Sequence, residues 1–479
     1  MSCEIRVENL SIKTRDGTVL VRDVSFAFGS HNPICLIGET GSGKSLVMHA
    51  IMGSLPDELI CEGSILLDGE NLLALSPAER RALWGRTFSL LPQEPSRSLD
   101  PTMNIRSQVA EIYPALHGMS WNDAKARAEK DLQSVGLGHA AKAFPFELSG
   151  GMAQRASIAM AHAAGSMVLL ADEPTKGLDR ALCDVVAGMI NHEVSLGRAV
   201  MVITHDLELA VQTTGMIGVM RNGVLLEVGK AESVLDAPSD PYTRSLVAAL
   251  PSHWQAVSGA GNVPGEVVVT AQNLGKSFGE KALFSDLDLT LRAGEITVAL
   301  GPSGCGKSTL GNILLGLIKA DHGAVEKPGN LPAFKYQKIY QDPPAAFIPH
   351  QTLGDAFADL RKRHGIDGAL INKMLEGLGL EPGLLGRRPD AISGGELQRF
   401  AIARALLLEP AMLFADEATS RLDPVSQKRV IDLLVAQVRD RNLALMLVTH
   451  DHVLAHKIAD HVIDLGGGGQ GIATRNVAA

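Results

Sequence analysis

The chain has 479 residues, 46% hydrophobic and 20% charged, which suits two globular domains with real cores and excludes a disordered protein. Its net charge of −9, from 44 basic and 53 acidic residues, argues against general nucleic-acid binding, which needs basic surface to displace counterions. The five cysteines, Cys3, Cys35, Cys61, Cys183 and Cys305, are odd in number and form no CxxC, so neither a disulfide nor a zinc framework is expected.

The opening MSCEIRVENL carries charges where a signal peptide needs an apolar core, so no leader is expected. The most apolar stretch, Phe400 to Ala415, is broken by Arg404, Glu409 and Pro410, too soon for a membrane-spanning helix. A soluble chain is expected, with other subunits supplying any spans. Ile5–Leu10 reads as a strand. A second, buried strand over Pro33–Ile37 runs into GETGSGKS and then the helical pattern SLVMHAIMG. In that loop Gly38, Glu39, Thr40, Gly41, Ser42 and Gly43 can point backbone N–H groups at phosphate oxygens on a helix N-terminus. Lys44 should reach the β- and γ-phosphates and the Ser45 hydroxyl should ligate Mg²⁺.

Further along, Gln93 in LLPQEP offers an uncharged amide oxygen to metal or water. LSGGMAQR, Leu148–Arg155, opens a helical pattern, so Ser149, Gly150 and Gly151 form a second anion-binding helix start. The apolar run Val168–Ala171 ends in Asp172 and Glu173, which places both carboxylates at the C-terminal edge of a parallel sheet. Asp172 would hold Mg²⁺ through water, and Glu173 would orient and polarise an attacking water. VITHD closes another apolar run with His205, whose neutral imidazole could donate to a γ-phosphate oxygen.

Every one of these segments returns in order. GPSGCGKS supplies Gly301, Pro302, Ser303, Gly304, Cys305, Gly306, Lys307 and Ser308, followed by Thr309. KIYQDP supplies Gln341, ISGGELQR supplies Ser393, Gly394 and Gly395, MLFADEAT supplies Asp416 and Glu417, and LVTHD supplies His450. The lysines are 263 residues apart, the signature serines and the aspartates 244, and the histidines 245. The second copy has therefore lost about nineteen residues between its first loop and its Ser-Gly-Gly segment. Two homologous α/β domains are expected, over residues 1–252 and 266–479. Between them lies a linker, 253–265, rich in small and turn-forming residues.

The full set resembles a tandem ATP-binding cassette protein over nearly its whole length. A P-loop, a glutamine loop, an LSGGQ-like signature, an ADE strand, a [SK]xLD loop (KGLD, Lys176–Asp179; SRLD, Ser420–Asp423) and a histidine switch each occur twice. The resemblance implies P-loop NTPase domains with a mainly parallel core sheet, an N-terminal antiparallel β-subdomain and a helical signature subdomain. It also implies ATP and Mg²⁺ as ligands and head-to-tail pairing of the halves. One site would combine Lys44, Ser45, Gln93, Asp172, Glu173 and His205 with Ser393 and Gly395. The other would combine Lys307, Ser308, Gln341, Asp416, Glu417 and His450 with Ser149 and Gly151.

Two departures bear on the balance between the sites. Phe278 is placed to stack adenine in the second half, whereas Leu10–Gly17 offers no aromatic residue; Met152 stands where Glu396 keeps the usual acidic or amide residue. Two hydrolytic sites of unequal strength are expected. QEPSRSLDP, QDPPAAFIP and the tail DPYTRSLVAALP resemble the ATPases of peptide and nickel importers, without the cysteines that often follow that tail. That subfamily implies two transmembrane permease subunits, a solute-binding protein behind them, and a peripheral position on the cytoplasmic face of the inner membrane. The rival reading is a soluble tandem cassette ATPase acting on ribosomes or nucleic acid, but those relatives carry a long charged linker or inserted zinc modules. His452, His456 and Asp460 share a helical face, more simply read as a surface helix than as a metal sensor, and Gly466–Gly469 reads as a flexible turn.

Overall fold

The computed structural model describes residues 3–176, 178, 180–257, 265–279, 281–302, 304–419, 422–466 and 472–475. The chain divides into two units, Met1–Leu246 and Val247–Ala479.

In the first unit, strand Glu4–Thr14 buries Ile5 and Val7, then Leu10 and Ile12. The change of phase between Val7 and Leu10 is a bulge at Asn9, whose φ is 49°. Gly63 on the neighbouring strand makes room for it: a Cβ there would lie 2.5 Å from the Asn9 carbonyl oxygen. Strand Val267–Phe278 repeats the device with Asn273 (φ 52°) and Gly323. Both units thus begin with an antiparallel sheet, in which the opening strand lies between Val19–Gly29 and Leu59–Leu67 in the first, and between Lys281–Arg292 and His322–Glu326 in the second.

Each unit also has a six-stranded sheet. In the first unit its order is Val224–Lys230, Met216–Arg221, Ile34–Gly38, Ala199–Ile203, Val168–Asp172, Phe88–Leu91, parallel apart from the Val224–Lys230 edge. In the second it is Tyr336–Ile339, Met412–Asp416, Ala444–Val448, Ile296–Leu300, His461–Asp464, Ile472–Arg475, with the last strand antiparallel. Ile34–Gly38, Val168–Asp172 and Ala199–Ile203 are buried at every position, as apolar parallel strands covered on both faces must be.

A helical lobe follows each glutamine loop. Helices Ile105–His117 and Trp121–Ser134 bury Val109, Ala124, Ala128 and Leu132 against Ala153, Ala156 and Ala159 of helix Gly150–Ala164. Leu353–His364 and Gly368–Gly377 fill the same role against helix Gly394–Leu406. The α/β class, the mainly parallel core sheets and the antiparallel opening sheets agree with the sequence expectation. Fifteen of the nineteen residues lost from the second copy fall between its P-loop lysine and Gln341. There the first unit carries the short strand Glu70–Asn71 and helix Pro77–Ala82, which have no counterpart among the second unit's described residues.

The division falls between Leu246 and Val247, a few residues before the expected end at 252. Within the stretch read as linker, Trp254 is only 7% exposed and belongs to the second unit's core, its indole N–H donating to the Ala249 carbonyl at 2.9 Å. Val257 N–H donates to the Lys457 carbonyl at 2.7 Å. Residues 258–264 lie outside the described residues.

Candidate active sites

Each P-loop joins the C-terminal end of a buried strand to a helix, Lys44–Met52 or Lys307–Leu315. Gly43 and Gly306 sit at those helix starts with φ of 94° and 106°, a left-handed backbone that favours glycine. A Cβ on Gly43 would press within 2.9 Å of the Val21 side chain, so the loop is held against the first sheet on that side. On the other side it is open: a Cβ at Gly41 would meet nothing within 4 Å, and Thr40 is exposed. Lys44 and Lys307, both 6% exposed, fold back onto the loops. The Lys44 ammonium donates to the Gly38 and Glu39 carbonyls at 2.8 Å each, and Lys307 to Gly301 and Pro302 at 2.7 and 2.9 Å. Lys44 also donates to Ser42 Oγ at 3.1 Å, and an ammonium held by carbonyl and hydroxyl oxygens is well placed to exchange them for phosphate oxygens. Cys305, Ser308 and Thr309 are half-buried at the second loop, and Ser303 lies outside the described residues.

Asp172 and Asp416 are the last residues of their strands, and both are buried. Burial pushes each carboxyl above the usual range, against the neighbouring Ser45 and Ser308 hydroxyls. Ser308 Oγ donates to Asp416 Oδ1 at 2.8 Å. Asp172 Oδ1 is buried and has no hydrogen-bond partner among the described residues, which leaves a lone-pair donor unmet where a hard cation would be satisfied. The hydroxyl and carboxylate oxygens present therefore fit Mg²⁺.

Glu173 and Glu417 follow, each with φ of 48°. Glu173 Oε2 lies 2.8 Å from His205 Nδ1, and Glu417 Oε1 lies 2.7 Å from His450 Nε2. Burial works against both charged forms, yet His205 outweighs it at Glu173 and holds that carboxyl below its usual value, while Glu173 holds the His205 pKa up. Glu417 is likewise lowered by His450 despite burial. Each of the two groups thus favours the charged form of the other. Both loop glutamines are exposed, and Gln341 Nε2 donates to Glu417 Oε2 at 2.7 Å.

The signature serines cap their helices. Ser149 Oγ accepts from Met152 N–H at 3.3 Å. Ser393 does the same for Glu396 N–H at 3.3 Å, and the Glu396 carboxylate returns to the Ser393 N–H and hydroxyl at 2.9 and 2.7 Å. Gly150 and Gly394 face open space, whereas Gly151 is packed: a Cβ there would lie 2.6 Å from Leu182 Cδ1. Gly395 is buried.

Within each unit the structure brings together P-loop, Asp, Glu and His, and in the second also Gln341; the signature serines lie on the helical lobes. Phe278 presents a 56%-exposed ring at the end of its strand, with the Lys276 ammonium 5.4 Å above it. At the matching turn of the first unit stand Arg15 and Asp16, with no aromatic ring. Asp460 accepts from Arg439 at 3.0 Å and from Ile296 N–H at 2.7 Å, and no cluster of three or more His, Cys, Asp or Glu side chains placed to hold a metal occurs among the described residues. Sequence reasoning missed Lys338, whose ammonium lies 3.5 Å from Asp416 Oδ2. Its signal was a lone cation in the short strand YQKI.

The sequence model of the ABC transporter family matches residues 21–176 and again 284–420, and so covers both P-loops and both ADE strands. The chain belongs to the ABC transporter family. As an ABC ATPase it binds ATP through two cassette domains. It is 33% identical to the peptidoglycan transport ATP-binding protein YejF of Agrobacterium fabrum, a match covering 96% of this chain and 90% of that one. It is 32% identical to the glutathione import ATP-binding protein GsiA of Escherichia coli K12, covering 96% and 84%. Among solved structures, an archaeal ribosome recycling factor in complex with a ribosomal stalk protein gives a TM-score of 0.68 at 19% identity, covering 98% of this chain and 89% of that one. RNase-L inhibitor gives 0.67 at 20%, covering 97% and 90%. At such identities the likeness of the ABC ATPase to these structures concerns fold alone. Among the described residues no helix is long and apolar enough to cross a membrane.

Proposed function

We propose that this ABC ATPase energises a membrane importer for peptides or related small cargo, nickel chelates included. The observation that carries the reading is end-to-end similarity, over 96% of the chain, to ATP-binding proteins named for peptidoglycan transport and glutathione import. ATP is the substrate. Lys44 and Lys307 bind its phosphates together with the loop N–H groups, and Ser45, Asp172 and Gln93, or Ser308, Asp416 and Gln341, hold Mg²⁺. The cation, when bound, neutralises phosphate charge. Glu173 and Glu417 orient the attacking water, and His205 and His450 fix those carboxylates and face the terminal phosphate.

The signature segments add N–H groups and a hydroxyl to the nucleotide held by the opposite unit, so the halves pair head to tail and ATP is sandwiched between them. Helix starts at Ser149 and Ser393 with no side chain in the way at Gly150 and Gly394 support that role. Two permease subunits and a solute-binding protein complete the importer, with the ATPase peripheral on the cytoplasmic face. A groove of about 670 Å³ beside the second glutamine loop, lined by Phe347, Ile348, Leu360, Arg363 and Arg404, suits a permease's cytoplasmic helix.

Affinity purification from solubilised membranes tests the reading: two permeases and a solute-binding protein should accompany the chain. Recovery with ribosomes instead would favour the rival soluble ATPase, which at present has only fold-level likeness behind it.

A further inference from the structure

The two strand-ending aspartates differ in the basic group beside them: the second has the buried Lys338 ammonium, whereas in the first the half-buried His49 imidazole acts on Asp172 from the P-loop helix. In the second unit, strands Tyr336–Ile339 and Met412–Asp416 run parallel with Lys338 beside Phe414; in the first, Leu90 stands beside Leu170. Phe414 and Leu170 each lie two residues before the strand-ending aspartate, so Lys338 and Leu90 occupy equivalent places.

Lys338 is not a swinging surface cation. Its side chain is 12% exposed and that of Asp416 is 5% exposed. The ammonium lies 3.5 Å from Asp416 Oδ2 and donates to Asn312 Oδ1 at 2.9 Å. It also sits over the Tyr340 and Phe414 rings, at 5.0 and 5.5 Å from their centroids. With Ser308 on Oδ1, both oxygens of Asp416 are engaged. In the first unit Leu90 brings no charge, and Asp172 Oδ1 is buried without a hydrogen-bond partner among the described residues.

A buried carboxylate with its own ammonium has less attraction left for a divalent ion, and two like-signed charges in one buried site repel. We propose that Lys338 is a resident counter-charge that weakens the second site's hold on Mg²⁺, so that the two ATP sites bind the divalent cation with unequal affinity, the first tighter. The proposal rests on the reading of Asp172 and Asp416 as metal-holding carboxylates. Lys338 thereby lowers cation affinity without touching the nucleotide's reacting atoms, and the first site fills with metal at concentrations where the second is only partly loaded.

The test is a Mn²⁺ titration of the full chain, followed by electron paramagnetic resonance, with a non-hydrolysable ATP analogue present. The wild type should show two classes of nucleotide-dependent Mn²⁺ site with dissociation constants about tenfold apart. Lys338→Leu should tighten the weaker class toward the stronger, and Leu90→Lys should weaken the stronger class. A single class in the wild type, or a weak class unmoved by Lys338→Leu, overturns the proposal. Circular dichroism checks folding; where Lys338→Leu does not fold, Leu90→Lys decides, and an unmoved strong class then overturns it. Asp172→Asn and Asp416→Asn separate this from the underlying reading: each should weaken one class, and if neither does, it is the assignment of the carboxylates that fails.

Discussion

Glu173 and Glu417 sit one residue beyond the ends of their strands with φ of 48°, a left-handed conformation that costs a non-glycine residue about 1–3 kcal/mol. Glu173 N–H still donates to the Ile203 carbonyl at 2.8 Å, so the turn leaves the strand ladder intact while directing the carboxylate at His205. If each glutamate orients the attacking water, Glu173→Gln and Glu417→Gln should each cost their own site about 10²–10⁴-fold in rate. Single variants should leave unequal residual ATPase, and the double variant essentially none; equal residues of activity in steady-state assays would count against unequal sites. The same substitution has a titration signature. With the Glu173 charge removed, burial and Lys176 act on His205 against Asp206 alone, and its pKa should fall, which histidine NMR would read directly.

The sign of the pH dependence follows from the same pair. Glu173 is lowered, so its contribution to stability is complete above the unfolded carboxyl's value of about 4.3 and fades as pH falls through the folded one. His205 is raised, so its contribution is complete below about 6.5 and fades as pH rises through the folded value. The pair therefore stabilises the first unit most between those limits. Urea unfolding of wild type and Glu173→Gln should differ more at pH 5.5 than at pH 8.5. A difference independent of pH would mean that the pair is not charged.

At the scale of the element, the signature glycines separate into two roles. Gly151 is a packing glycine, since a Cβ would meet Leu182 Cδ1 at 2.6 Å, whereas Gly150 has only open space in front of it. Gly151→Ala should cost stability, about 1–3 kcal/mol less whatever Leu182 recovers by rotating. Gly150→Ala should leave the melting temperature unchanged or higher, because alanine favours the helix, yet impair nucleotide-driven pairing by projecting a methyl where phosphate would approach. Calorimetry together with ATP-dependent association of the units separates the two outcomes. Loss of both properties in both variants would argue that the segment is purely structural.

Much of the site was legible because its parts are local. A strand, a glycine loop and a helix within about a dozen residues, or an apolar run ending in two carboxylates, betray their geometry through sequence spacing alone. The left-handed glutamates were not legible, since no residue type marks φ there. Nor was Lys338, which meets Asp416 only after two strands separated by dozens of residues pair side by side. In sequence it was a single cation in the short mixed strand YQKI.

At the scale of the whole molecule, the seam shows the same limit. Ser252–Gly265 has no apolar period, and one tryptophan among small residues gave no reason to assign it to either domain. In the structure Trp254 fills the second unit's core with the Lys428 ammonium 5.1 Å over its ring, and the short helical turn Pro251–His253 fixes its approach. A buried tryptophan of this kind contributes about 3–5 kcal/mol against truncation to alanine. The second domain should therefore need its preceding segment in order to fold well. Residues 247–479 expressed alone should unfold at a higher urea concentration than residues 266–479, and Trp254→Ala in the longer fragment should remove most of that advantage. The same substitution in the full chain should lower the unfolding transition of the second unit and leave that of the first where it was. Equal stability of the two fragments would return Trp254 to the linker and move the boundary back beyond it.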